Sequence, residues 1–189
     1  MSIHLFRTTL SASPLGRFLG DEGAATAVEF GILALPFFTL IGAILQTAMI
    51  FLASQILDGA VQDSSRLIRT GQAQSTLNYN AASYQAAICS RLFGIFDCGP
   101  SSARLLVTVQ VVTNFASASA PTSPLDPIDP SKWTISPAYN PGTGSQVVKV
   151  TAYYKWPVVV NLPGLNLATS SDGTRLLTAV RVFENEPFT

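Results

Sequence analysis

The residues able to do chemistry are few and mostly remote from one another. The only histidine, His4, stands near the N-terminus, so no Ser–His or Cys–His couple is available to the body of the chain. Cys89 and Cys98, in ICSRLFGIFDC, are too far apart for a CxxC redox or zinc motif, and the four or so ligands of a structural zinc site are not at hand. We expect the pair to form a disulfide closing a short loop, which implies an oxidising compartment; two buried free thiols are the alternative. Asp126 and Asp129, in DPIDP, could contribute to a Ca²⁺ site, but two carboxylates fall short of the roughly six to eight oxygens that ion takes. A solvated loop is the plainer reading. The GTGS at 142–145 lacks the lysine and the strand–helix setting of a phosphate cradle. Glu184 and Glu186 could pair with Arg181, serve as a docking tail or simply be solvated. Tyr153 and Tyr154 read as one core and one surface residue. No catalytic residue, metal or cofactor is therefore expected. One group stands apart, the carboxylate of Glu29 at the edge of an apolar run.

That run positions everything else. From Phe30 through Leu57 there is no Asp, Glu, Lys, Arg or His, about 28 residues where roughly 20 cross the hydrocarbon core of a bilayer. A soluble core helix has no reason to stay apolar all round for so long. We read one transmembrane helix. Glu29 is costly to bury there, so it either has a partner or sits solvated at headgroup level. Pro36 removes an N–H from within the span, so a kink or local rearrangement is expected, or a proline tolerated without one. Small residues at Gly31, Ala34, Gly42, Ala43, Ala48 and Ala53 permit close helix packing, without a strict GxxxG to mark one face. Residues 1–23, with Arg7 and Arg17, read as a cytoplasmic leader: the apolar run is too long for a secretory signal and no A-x-A-like site follows it. Arg66 and Arg69 balance Arg17 across the span, so the cysteine pair decides the orientation, with the C-terminal domain outside.

Beyond Leu57 the helix is expected to continue to about Thr70, for roughly 67 Å in all. Arg66 and Arg69 suit its C-terminus and Gly71 is a natural stop. Asn78 to Asn80 mark a break, and Ala81 to Phe93 a short helix. Strands are expected at Arg104 to Thr113, at Gln146 to Trp156 and at Thr174 to Phe183, each rich in β-branched residues. Residues 114–145 read as a long loop, anchored by Trp133 and either functional or mobile. With 189 residues, zero formal net charge and only 12% charged residues, no basic field invites nucleic acid. The fold class expected is α+β: a long, half-embedded N-terminal helix packed on a small antiparallel sheet.

Four motifs in order carry a resemblance. DEGAATAVEFGILALPFF, matched at Asp21, Glu22, Gly23, Val28, Glu29 and Phe30, resembles the N-terminal segment of the TadE/TadG-like proteins of the tight-adherence (Tad, type IVc) pilus system. LDGAVQDSSRLIRTGQAQ resembles their polar helical continuation at Arg69, Gly71 and Gln72. ICSRLFGIFDC resembles their cysteine-bounded segment and FENEPF their C-terminal ending. The resemblance implies a structural protein, not an enzyme: a minor pilin or pseudopilin acting in pilus biogenesis and adherence. It implies a pilin-like domain at 58–189 in the periplasm, a transmembrane helix at 24–57 in the inner membrane and a cytoplasmic leader at 1–23. The partners implied are membrane lipid, other pilins or pseudopilins, the inner-membrane Tad platform and a prepilin peptidase. Such a peptidase places a glutamate at mature position five; here cutting after Ala24 gives five and cutting after Gly23 gives six. A new terminal amine would then pair with Glu29 of a neighbour. Glu29, Phe30 and Pro36 are the expected packing residues and Cys89 and Cys98 the expected staple. The alternative function is a membrane-tethered periplasmic binding module, unrelated to pili, that recognises a partner through loop 114–145.

Overall fold

The computed structural model describes residues 22–99, 102–159 and 166–188, with side chains from Thr26 on. Residues 1–21 of the expected leader, Arg7, Arg17 and Asp21 among them, lie outside the described residues. The chain divides into two compact units, Met1–Ala43 and Ile44–Thr189. In the first, every described residue is helical. In the second, helices and a four-stranded sheet share one core.

Helix α1 runs Glu22–Arg69, continuous through Pro36, with Arg66 and Arg69 in its last turn. Cations there oppose the negative end of the helix dipole. Gly71, at φ +74°, ends it as expected; a left-handed residue at this point lets the chain turn out of the helix. A single turn, α2 (Gln72–Ser75), follows. Asn78, at φ +43°, then breaks the chain direction. Helix α3 (Ala81–Cys89) opens on a reciprocal cap: the Asn80 side chain accepts from Ser83 N–H at 2.9 Å and the Ser83 hydroxyl accepts from Asn80 N–H at 2.8 Å. This satisfies two amides the helix cannot satisfy itself. It ends four residues earlier than expected, because Phe93 and Gly94, at φ +51° and +71°, turn the chain so that Cys98 can meet Cys89.

The strands are β1 (Leu105–Val112), β2 (Ala138–Tyr139), β3 (Val147–Pro157) and β4 (Thr174–Glu184), in spatial order β2-β1-β3-β4. β3 pairs antiparallel with both neighbours, whereas β2 pairs parallel with β1. The sheet is therefore mixed, not wholly antiparallel as expected. The reason is the crossover: the chain travels from the end of β1 back over the sheet before β2, and so re-enters in the same direction.

Register sorts the side chains by face. On one face the rows Leu105–Tyr154–Leu177, Val107–Ala152–Ala179 and Val109–Val150–Arg181 lie side by side. Their apolar members pack with Ile50, Ala53, Leu57, Val61 and Ile68 of α1 in one buried cluster. These helix positions recur at three- and four-residue spacing, one stripe of the helix. Eight residues of the expected span, Ile50 to Leu57, thus carry the start of the core stripe as well. The opposite face is covered too. Leu106, Thr108, Thr151 and Tyr153 are all buried, and residues 114–145 lie over them. Lys149 donates to Ser119 O at 2.7 Å, Tyr153 OH to Thr122 O at 3.5 Å and Lys155 to Ser131 O at 2.6 Å. All three donors lie on the same face of β3. The expectation that one of Tyr153 and Tyr154 is a surface residue is corrected here: both are buried, because the loop is a cover and not a free segment.

Candidate functional site

Three features remain once the core is accounted for. The first is the apolar surface of α1. Val28, Phe30, Ile32, Leu33, Leu35, Phe37, Phe38, Leu40 and Leu45 are each more than half exposed. A water-soluble helix does not tolerate such a surface; a lipid- or helix-facing one requires it. Glu29 is exposed on the first described turns of this surface and Phe30 is 69% exposed. Pro36 withholds a donor from the Ile32 carbonyl, and Thr39 donates its hydroxyl to Leu35 O, three residues further along, at 2.7 Å. Space beside Gly31 and Gly42 is open, with no heavy atom within 4 Å of where a Cβ would stand. Gly23 and Ala24, the expected processing positions, are helical in backbone. Among the described residues, one helix is long and apolar enough to cross a membrane.

The second feature is the docked C-terminal tail, which joins two motifs that lie far apart in sequence. Asn185 is 2% exposed; its amide donates to Pro141 O at 2.9 Å and Thr143 O at 3.0 Å. Its backbone N–H donates to Gln146 O, and Glu186 N–H donates to Arg69 O, both at 2.9 Å. The Arg69 and Glu186 side chains pair at 3.7 Å. Phe188 lies against Gly71, where an added Cβ would stand 2.8 Å from its ring. Gln74 donates to Ile68 O and Pro141 O, each at 3.2 Å. The Arg-x-Gly-Gln stretch and the Asn-Glu-Pro-Phe ending are thus two halves of one lock on the end of α1. Further back along the same seam Arg181 donates to Asp58 and to Gln62. Glu186 therefore pairs with Arg69, and Arg181 with Asp58, which the sequence reading did not foresee. An open cleft of about 520 Å³ along this seam is lined by Gln62, Arg66, Arg69, Arg181 and Phe183. Two of its three arginines are already engaged.

The third feature is the stapling of the sheet's covers. Cys89 and Cys98 form a disulfide, with Cα atoms 5.8 Å apart. Trp133 donates its indole N–H to Ala103 O at 2.7 Å, and the Lys155 ammonium stands 4.2 Å from its ring centroid. Burial lowers the Lys155 pKa, and the ring's negative face compensates part of its lost hydration. Asp126 and Asp129 are turn residues. Asp126 accepts from the N–H groups of Ile128 and Asp129. Asp129 accepts from Ser131 and Lys132, which draw its carboxyl down to about 2. Among the described residues no cluster of three His, Cys, Asp or Glu could hold a metal ion.

A long helix whose outer surface is apolar and exposed from Phe30 to Leu52, packed from Ile50 on against a four-stranded sheet, defines a pilin-like α+β protein suited to a membrane anchor. A family model described as TadE-like protein matches residues 24–66, so that segment of the chain is similar to the TadE-like family. That similarity points to a role in Tad pilus assembly, in association with the Tad pilus machinery. Comparisons with curated proteins and with solved structures gave no match.

Proposed function

We propose that this protein is a minor pilin or pseudopilin of a Tad (type IVc) pilus, held in the inner membrane by α1 with its N-terminus cytoplasmic and its domain in the periplasm. The observation that carries the reading is the exposed apolar surface of α1 with one carboxylate, Glu29, at its head. Its task is lateral packing against other pilin helices and the inner-membrane platform, in assembly and adherence. Open space beside Gly31 and Gly42 gives a neighbouring helix room for close approach. A free amine created by cutting after Gly23 or Ala24 offers a neighbour's Glu29 a counter-charge in low dielectric. The disulfide supports placing the domain in an oxidising compartment.

The closed packing of residues 114–145 over the sheet argues against a ligand-recognition loop there. Intact mass of the protein from its host's membranes, reduced and unreduced, tests the reading. The expected result is loss of the first 23 or 24 residues of the sequence, with two hydrogens gained on reduction. The second test is Glu29→Ala, which should abolish co-isolation with pilus components while leaving the domain folded. An uncut chain indifferent to Glu29→Ala would defeat the pilin mechanism.

A further inference from the structure

We propose that one end of the domain, presenting Phe93, Ile95, Ile128 and Val159, rests in the interfacial layer of the same phospholipid bilayer that takes α1. The inference rests on the membrane anchorage proposed above and adds a second lipid contact made by the domain itself.

The level of that end follows from hydrogen bonds. Arg181 meets Asp58 and Gln62, and Glu186 N–H meets Arg69 O, so β4 and α1 ascend in the same sense. Thr174 lies seven residues before Arg181, about 23 Å down the strand. The same distance down α1 from Asp58–Gln62 is about 15 residues, which reaches the middle forties. Trp156 and Pro157 pair with Arg175 and Thr174, so Val159 emerges at this level. Phe96 stacks on Tyr154 and Trp156, with ring centroids at 4.7 and 5.3 Å, and Asp97 N–H donates to Tyr154 OH. That pins the turn carrying Phe93 and Ile95 to the same end. Ser131 O accepts from Lys155, which brings the turn bearing Ile128 there as well. Three segments distant in sequence therefore converge on one end of the sheet.

Each of the three carries a bare apolar side chain among its polar neighbours. Phe93 is 81% exposed, Ile128 93% and Val159 86%. Phe93 stands outward on the tight turn that leads to the disulfide. Lipid is the occupant the geometry favours. Phe30 to Met49 is 20 residues, about 30 Å of helix, one hydrocarbon thickness. The core stripe begins at the next residue, Ile50, while Met49, Phe51 and Leu52 beside it remain 47–66% exposed. The residues of α1 at that level, Ile44, Leu45 and Met49, are themselves apolar and 47–61% exposed, so the end of the sheet beside them meets the interfacial layer, where apolar and aromatic side chains partition favourably.

The test uses the full chain reconstituted at high lipid excess in phosphatidylethanolamine–phosphatidylglycerol vesicles, with single nitroxide labels at Phe93→Cys, Val159→Cys, Met49→Cys and Phe115→Cys. Phe115 is exposed at the opposite end of the sheet, beyond β1. Intact mass checks that the native disulfide survives labelling. Power saturation against oxygen and a water-soluble nickel chelate reads depth. The expected result is lipid-type accessibility, rich in oxygen and poor in nickel, at positions 93, 159 and 49, with the sign of the depth parameter reversed at 115. Lipid-type accessibility at 49 with aqueous readings at 93 and 159 would overturn the proposal while anchorage stands. Aqueous readings at 49 as well would remove the anchorage itself. Protection at 93 and 159 from both reagents would mean a protein occupant, and would equally overturn it.

Discussion

Gly71→Ala isolates the lock between the end of α1 and the C-terminal tail. Gly71 has φ +74°, and an added Cβ would stand 2.8 Å from the ring of Phe188. Two costs are therefore expected. Holding an L-residue in the left-handed region costs about 1–2 kcal/mol. Displacing Phe188, which is partly buried, forfeits about half of the roughly 1.5–3 kcal/mol that full burial of such a side chain contributes. The sum is about 2–3 kcal/mol. Gly94 supplies the control: its φ is +71°, yet nothing lies within 4 Å of its would-be Cβ, so Gly94→Ala should cost only the backbone part, about 1–2 kcal/mol. Thermal unfolding in detergent, followed by circular dichroism, should show Gly71→Ala melting below Gly94→Ala by roughly 3–5 °C per extra kcal/mol in a domain of this size. Adding Phe188→Ala should then cost less in the Gly71→Ala background than in the parent, since the contact is already lost. Equal losses at the two glycines, with an additive double variant, would refute the tail packing.

Other outcomes follow from the same geometry. Replacing Cys89 and Cys98 with alanine releases a loop nine residues in separation and should lower stability by about 2–3 kcal/mol; denaturant unfolding with and without reductant checks this, the reductant acting only on the parent. Asn185→Ala leaves the Thr143 carbonyl without this donor and the Pro141 carbonyl with Gln74 alone and should cost about 1–3 kcal/mol, with faster amide exchange at Gln146 and Glu186. Alkali should unfold the domain cooperatively. Burial pushes the phenol of Tyr139 up to about 12 and that of Tyr84 higher still. Groups raised above their unfolded value of about 10 contribute stability that is complete below pH 10 and is lost as the pH climbs through 12. Phenolate absorbance from both should therefore rise together with loss of helical dichroism, and a gradual titration centred near pH 10 with the helix intact would contradict their burial.

Local chemistry settled much of this protein in advance. The absence of charge from Phe30 to Leu57 demands a helix whose surface meets something other than water, since no short-range interaction can offset so much exposed apolar area. Gly71 as a stop, Asn80 as a cap and the β-branched run of β3 are decided within a few residues of themselves. The TadE-like segment was legible for the same reason: its motif is contiguous.

What the tertiary structure decided depends on groups far apart in the chain. Arg181 finds Asp58 across 123 residues, and Glu186 finds Arg69, because the register of β4 against β3 places them there. The burial of Tyr153 and the parallel entry of β2 both come from a loop whose composition looks mobile but whose carbonyls accept the hydrogen bonds of β3. Strand alternation shows that a strand has two faces, and leaves open how many are covered. A sequence fixes periodicity through contacts a turn or two apart, whereas partners across a sheet are chosen by register, which only the closed fold specifies.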